Sequence, residues 1–192
     1  MTLGARQKGE DDAALVRAAL RTPELFKAIV TKYEAQLSRY LLRLGCRGNE
    51  DREDLLQEVF LKIYVNLNQY DERLTFSSWV YRIAHNEAVS HFRKKSARPE
   101  IEIPEDMSIL DTLVDDTVHI AAYDRTLLGR ALRDALNRME ERYRTVLMLH
   151  YFEHKQYDEI SDILQIPIGT VGTLVRRGKQ TLQSMLPRHS VI

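Results

Sequence analysis

From Leu55 onward the apolar residues Leu55, Leu56, Val59, Phe60, Ile63, Tyr64 and Leu67 recur at three- and four-residue intervals, the period of a helix with one face in a core. The same helix carries a second stripe, Asp54, Gln57, Glu58, Leu61 and Val65, that begins polar and ends apolar. Such a face either packs within its own domain or receives a partner, and spacing alone leaves both open. Upstream, Asp11 and Asp12 precede a short helical stretch around Ala13 to Leu20. Thr22 is then a candidate N-cap with Pro23 at the first helical position. Leu25, Phe26, Ile29, Val30, Tyr33, Leu37, Tyr40, Leu41 and Leu44 continue the period until Gly45 and Gly48 stop it. Asn49, followed by Glu50, Asp51, Glu53 and Asp54, caps the next helix and sets acids where its dipole favours them.

A further helix starts at Phe76, with Phe76, Val80, Ile83 and Ala84 toward a core. On another side Arg82, Asn86 and Arg93 project within about 40° of one another. Glu87 lies near the core stripe, so the second half of this helix is expected to leave the core and become surface. Between Ala97 and about Asp116 the period lapses, and Pro99 and Pro104 break any helix. Helix returns near Ala121 with Leu127, Leu128, Ala131, Leu132, Ala135 and Leu136 on one face, then again from about Glu141. Last come an eight-residue helix, Tyr157 to Leu164, a tight turn, and a longer helix from about Gly169. Those are helix-turn-helix proportions. The fold class expected is all-α, with two small helical domains, 1–96 and 121–192, on a flexible acidic linker, 97–120.

Composition changes this picture little, and charge changes it more. The 192 residues are 44% hydrophobic and 29% charged, ordinary for a packed water-facing protein, with formal net charge zero. That zero is patterned. Arg82, Arg93, Lys94, Lys95 and Arg98 oppose only Glu87 between 82 and 98, and Arg176, Arg177, Lys179 and Arg188 meet no acid between 174 and 188. The stretch 100–116 holds Glu100, Glu102, Glu105, Asp106, Asp111, Asp115 and Asp116 and no base. Two basic patches separated by an acidic tether fit a nucleic-acid-binding chain better than a neutral one. Cys46 is the sole cysteine, which excludes an internal disulfide and a thiolate metal cage. No apolar run reaches the roughly 20 residues of a membrane span, and the first residues lack the pattern of a secretion signal, so the expected compartment is the cytoplasm.

On the last helix Val171, Leu174, Val175, Gly178, Leu182 and Met185 form an inward stripe, while Thr173, Arg176, Arg177 and Gln180 fall on another face. Arginines for guanine edges or phosphates, with Thr and Gln for shorter bonds, are what a recognition helix offers a major groove. Thr170 at its start and Lys179 beside it complete the candidate set. His150 and His154 stand four apart, as zinc ligands can, but no third ligand accompanies them. No carboxylate pairs with a histidine, a serine or a phosphate-cradling loop. The expectation is therefore no enzyme, no cofactor and no metal.

The run Asp-Leu-Leu-Gln-Glu-Val-Phe from Asp54, then Tyr70-Asp71, then Phe-Ser-Ser-Trp-Val-Tyr-Arg-Ile-Ala-His-Asn from Phe76, and finally Arg93-Lys94-Lys95, resembles the second region of bacterial sigma factors. The closest likeness is to the short, extracytoplasmic-function group. The segment from Tyr157 to Lys179 resembles the fourth region of the same family. The resemblance implies that Asp54, Gln57, Glu58 and Leu61 grip the coiled coil of the largest subunit of core RNA polymerase. It implies that Asn86 reads a base flipped out of the minus-ten element, with the loop Gln69 to Ser78 building its pocket. Tyr70 and Phe76 are then the aromatic candidates, Trp79 belongs to the core, and Arg82, Arg93 and Lys94 hold the backbone. The fourth region implies minus-thirty-five readout by the face already described. One departure matters: Gly172 stands where family members usually carry a basic or polar side chain, which puts base preference there in doubt. The acidic linker would suit the polymerase's basic channels, and an anti-sigma partner is implied.

The function expected on these grounds is that of an extracytoplasmic-function sigma factor, which binds core RNA polymerase, recognises both promoter elements, duplex and melted, and promotes strand opening. Two rivals stand beside it. One is a stand-alone helix-turn-helix regulator whose N-terminal helices dimerise or sense, although a dimeric regulator needs only one basic patch. The other is an anti-sigma-binding mimic without DNA contact, favoured only by Gly172.

Overall fold

A computed structural model of the chain describes residues 3–95 and 125–186, and these fall into two compact helical units. The acidic tether and the return of helix at Ala121 lie outside the described residues. Every described element is helical. The first unit holds α1 (Leu3–Arg21), a 3₁₀ turn (Pro23–Leu25), α2 (Phe26–Leu44), α3 (Asn49–Val65), a second 3₁₀ turn (Leu67–Gln69) and α4 (Phe76–Lys95). The second holds α5 (Arg125–Arg138), α6 (Glu141–Leu147) with a π-helical continuation (Met148–Phe152), α7 (Tyr157–Leu164) and α8 (Ile168–Met185).

The first core is made by the expected stripes. Ile29, Tyr33, Leu37, Tyr40 and Leu41 of α2 meet Leu55, Leu56, Val59, Phe60 and Ile63 of α3, all buried. Phe76, Trp79, Val80, Tyr81, Ala84 and Ala88 of α4 close the bundle, with Val16 and Ala19 of α1 beneath. Val59, Ile63 and Val80 are wholly inaccessible, so each side chain contributes on the order of 1.5–3 kcal/mol for leaving water, and the buried methyl of Ala84 about 0.8 kcal/mol. α2 ends where Gly45 takes the left-handed conformation at φ 112°, and Cys46 N–H reaches back to Leu41 O at 3.0 Å. Only a glycine adopts that turn without strain. Cys46 itself is buried, and desolvation raises its thiol above the ordinary range.

Three boundaries differ from expectation. α1 starts at Leu3, so Asp11 and Asp12 sit within the helix; Asp12 is held there by α2 rather than by a helix start. Gly48, not Asn49, is the N-cap of α3, and the Asn49 side chain instead accepts from Arg52 Nη2 at 2.7 Å. Thr22 is extended and precedes Pro23 at the first position, but its side chain makes no capping bond, and a 3₁₀ turn intervenes before α2.

In the second unit α7 and α8 have the proportions read from sequence. α7 begins with a capping box: Gln156 caps the Glu159 backbone, and Glu159 accepts from Gln156 N–H at 3.0 Å. The turn is locked by Gln165 in the left-handed region at φ 55° and by Ser161 Oγ donating to Ile166 O at 2.6 Å. α6 and α8 pack closely at Gly178. A Cβ there would lie 3.3 Å from Leu147 Cγ and 3.4 Å from Tyr143 Cβ. The glycine thus has a packing reason, not only a helix-weakening effect.

Candidate docking and nucleic-acid interfaces

Three surfaces collect the candidate residues. On α3 the buried stripe fixes the helix rotation, and Asp54, Gln57, Glu58, Leu61 and Val65 consequently all face solvent. Leu61 is 62% and Val65 64% exposed, large values for apolar side chains one turn apart. Tyr64, expected in the core stripe, is 46% exposed and lies edge-on against Phe26 at 5.1 Å, extending the apolar end of the face. The stripe is a surface within its unit, acidic at one end and greasy at the other.

The second surface is the loop from Asn66 to Thr75 and the outer side of α4. Tyr70 is partly buried; its hydroxyl donates to Leu74 O at 2.7 Å and closes the loop across its own chord. Burial, then the neighbouring acids, lift that phenol to about 12. Asp71 forks onto Arg73, with Nη2 at 2.6 Å and Nε at 2.9 Å, and the hydrogen bonds from Arg73 hold its carboxyl down at about 2. Thr75 Oγ1 accepts from Ser78 N–H at 3.3 Å and starts α4. Beneath the loop, Phe76 is stacked on Trp79 (5.7 Å, 24°) and takes the edge of Tyr70 at 5.0 Å.

That placement corrects one candidate. Phe76 is 1% exposed, enclosed by Tyr33, Tyr70 and Trp79, so it cannot stack on a base and serves as the floor under Tyr70. Trp79 is core, as expected. Asn86, Arg93 and Lys94 are exposed and Arg82 is partly exposed, on the side of α4 away from the core. Val89 was missed; it is 39% exposed, and the helical period sets it within about 60° of Asn86. His85, next to Asn86, faces the other way. Its Nδ1 lies 3.0 Å from the Tyr40 hydroxyl, and burial holds its pKa down to about 4, so it is neutral at physiological pH. Glu87 is tied to Lys62 of α3 at 2.6 Å, and Lys95 to Asp51 at 2.7 Å, so α3 is cross-linked near both its ends to the second half of α4.

The third surface is α8. Val171, Val175, Gly178 and Leu182 are buried, and Thr170, Thr173, Arg176, Arg177 and Gln180 are exposed opposite them. Leu174 and Met185, also expected inward, are less buried than that stripe requires, Leu174 being partly exposed and Met185 36% exposed. Thr173 Oγ1 donates to Gly169 O at 2.9 Å, which spends its proton and leaves an acceptor and a methyl outward. Lys179 is not brought onto this face: it is partly buried at the flank, about a third of a turn away. A Cβ on Gly172 would meet only the Tyr157 ring, at 3.6 Å, so nothing in the packing demands glycine there. His150 Nδ1 donates to Lys155 O at 3.0 Å, with the ring against Tyr151 and Tyr157, which gives that histidine a structural use.

Comparison with known proteins covers both units. The Sigma-70 region 2 family model matches residues 29–98, and the Sigma-70, region 4 model matches residues 129–182. The ECF RNA polymerase sigma factor SigW of Bacillus subtilis (strain 168) is 31% identical over 186 residues, 94% of this chain and 92% of that protein. Two solved structures share the fold. CnrH, in complex with the cytosolic domain of CnrY, covers 90% of this chain and 94% of its own at TM-score 0.64 and 16% identity. The sigma factor RpoE of Bartonella quintana, with the anti-sigma factor NepR, covers 83% and 95% at TM-score 0.59 and 22% identity.

Proposed function

The chain belongs to the extracytoplasmic-function RNA polymerase sigma factors, and from that premise we propose how its surfaces divide the work. As a member it serves with core RNA polymerase in promoter recognition at transcription initiation, and it catalyses no reaction itself. The α3 face, Asp54, Gln57, Glu58 and Leu61 with Val65 beyond them, docks on the polymerase. The observation that carries this is the exposure of Leu61 and Val65 on a helix whose opposite side is fully buried.

The loop Asn66 to Thr75 and α4 take one strand of the minus-ten element. Unstacking a base costs a few kcal/mol. An amide at Asn86 facing the base edge, with Tyr70 as the aromatic surface, returns an amount of that order. Arg82, Arg93 and Lys94 supply salt-dependent grip on phosphates rather than sequence choice. On α8, Arg176, Arg177, Thr170, Thr173 and Gln180 face the minus-thirty-five duplex. No described helix is long and apolar enough to cross a membrane, and the chain works in the cytoplasm with its polymerase. An anti-sigma partner restrains it, a reading supported by RpoE of Bartonella quintana, which was solved with the anti-sigma factor NepR.

The stand-alone regulator does not account for a match that runs through both units along 92% of a sigma factor. The test is reconstitution with core polymerase, mapping starts on a promoter library. Failure to co-purify with core would sink the docking assignment. Asn86→Ala is expected to relax minus-ten selectivity at unchanged core affinity, and an equal loss on all sequences would remove Asn86 from base reading.

A further inference from the structure

One side chain of α1, Arg17, reaches the loop that precedes α4, and a second, Asp12, is linked to it through the rings of Tyr33 and Phe76. Asp12 is 4% exposed, and a carboxylate so placed is tolerable only if paired. Its Oδ2 accepts from the Tyr33 hydroxyl at 2.8 Å, and its Oδ1 lies 2.8 Å from Lys32 Nζ. The Tyr33 ring, oriented by that bond, stands edge-on to Phe76 at 5.7 Å and 78°. Phe76 is the floor under Tyr70, and Tyr70 closes the loop through Leu74 O. A second tether runs from the loop's tip, where Glu72 pairs with Arg17 of α1 at 3.2 Å.

We propose that Asp12, Tyr33 and Arg17 are positioning residues for single-strand capture: α1, acting through Tyr33 of α2, orients the aromatic floor from below and anchors the loop's tip, so a helix that carries none of the strand-facing residues sets the pocket. The proposal rests on the reading of that loop as the minus-ten site. The chemistry is specific. Tyr33→Phe keeps the ring and its packing but leaves the Asp12 carboxylate without its hydroxyl donor, so the carboxylate turns to Lys32 and the ring loses its fixed edge. Arg17 and Glu72 are both about half exposed, so exchanging them leaves the core untouched.

The experiment uses the full chain bound to core polymerase and a labelled single-stranded oligonucleotide, copied from the melted strand of a start mapped by reconstituted transcription. Tyr33→Phe is expected to weaken oligonucleotide binding about five- to tenfold, the scale of one charge-assisted hydrogen bond partly transmitted, with core affinity unchanged. Arg17→Glu weakens it about two- to fivefold, and Arg17→Glu with Glu72→Arg restores it. Asn86→Ala runs in parallel. Loss in Asn86→Ala with none in Tyr33→Phe overturns the positioning role alone, as does a charge exchange that fails to rescue. No loss in either variant overturns the strand-capture reading as well. If Tyr33→Phe lowers the melting temperature, the Arg17–Glu72 exchange still decides, since it acts at the surface.

Discussion

Truncating Leu61 and Val65 to alanine separates docking from folding. Fully burying a Leu or Val side chain is worth about 1.5–3 kcal/mol. Because Leu61 is 62% and Val65 64% exposed, most of that gain is still available to a partner, about 1–2 kcal/mol for each. The two lie one turn apart on α3 and share neighbours, so their effects need not add. Either single variant should therefore weaken core polymerase binding by about 5- to 30-fold, and the pair by more than either alone. Stability should hold within about 0.5 kcal/mol, since neither side chain is in the core and alanine suits a helix. Fluorescence anisotropy of the labelled chain titrated with core polymerase reads the affinity, and thermal melting of the free chain reads the fold. Unchanged affinity in the double variant would refute the argument. A fall in melting temperature parallel to the affinity loss would refute it differently, by showing that the face is packed in solution.

Arg176→Ala should cost about 1–3 kcal/mol on minus-thirty-five duplexes if it meets a base edge; a loss uniform over sequences, with a shallower salt slope, assigns it to phosphate. Gly172→Ala should stabilise the second unit by up to about 1 kcal/mol, because its Cβ meets only ordinary contact at 3.6 Å. Gly178→Ala forfeits that gain by crowding Leu147 and Tyr143 at 3.3–3.4 Å, and hydrogen exchange across α6 and α8 should rank it below Gly172→Ala. His85 binds a proton near pH 6.5 when unfolded but only near 4 when folded. Its contribution is thus complete above about 6.5 and declines by up to about 3 kcal/mol as the pH falls to 4. Denaturant melts between those values should flatten in His85→Gln, which keeps an acceptor for the Tyr40 hydroxyl.

Local periodicity carried the helices and their buried faces well, because a stripe such as Leu55, Leu56, Val59, Phe60 and Ile63 states its own rotation. It also carried the spare face of α3, although not its partner, which came from resemblance. What failed was long-range. Asp12 looks like an acid before a helix until Tyr33 and Lys32, 21 and 20 residues on, are seen to enclose it. Phe76 satisfied both a core stripe and an aromatic pocket, and burial by three rings decided between them. Tyr64 obeyed the helical period but lies at the stripe's edge, 46% exposed with its ring edge-on to Phe26. Gly178 read as a weak helix residue because the neighbour that requires it, Leu147, lies on another helix.

The ion pairs Lys62–Glu87 and Lys95–Asp51, which cross-link α3 and α4, carry a consequence for how strand affinity is measured. Both are substantially exposed on at least one partner and will loosen as salt is added. Raising ionic strength then does two things at once: it competes with counterion release at phosphates, and it relaxes the brace that fixes Asn86 relative to α3. A plot of log affinity against log salt will contain a protein term, and its slope will be steeper than phosphate neutralisation alone gives. Repeating the titration with Glu87→Gln and Asp51→Asn, which remove the brace beforehand, recovers the true count.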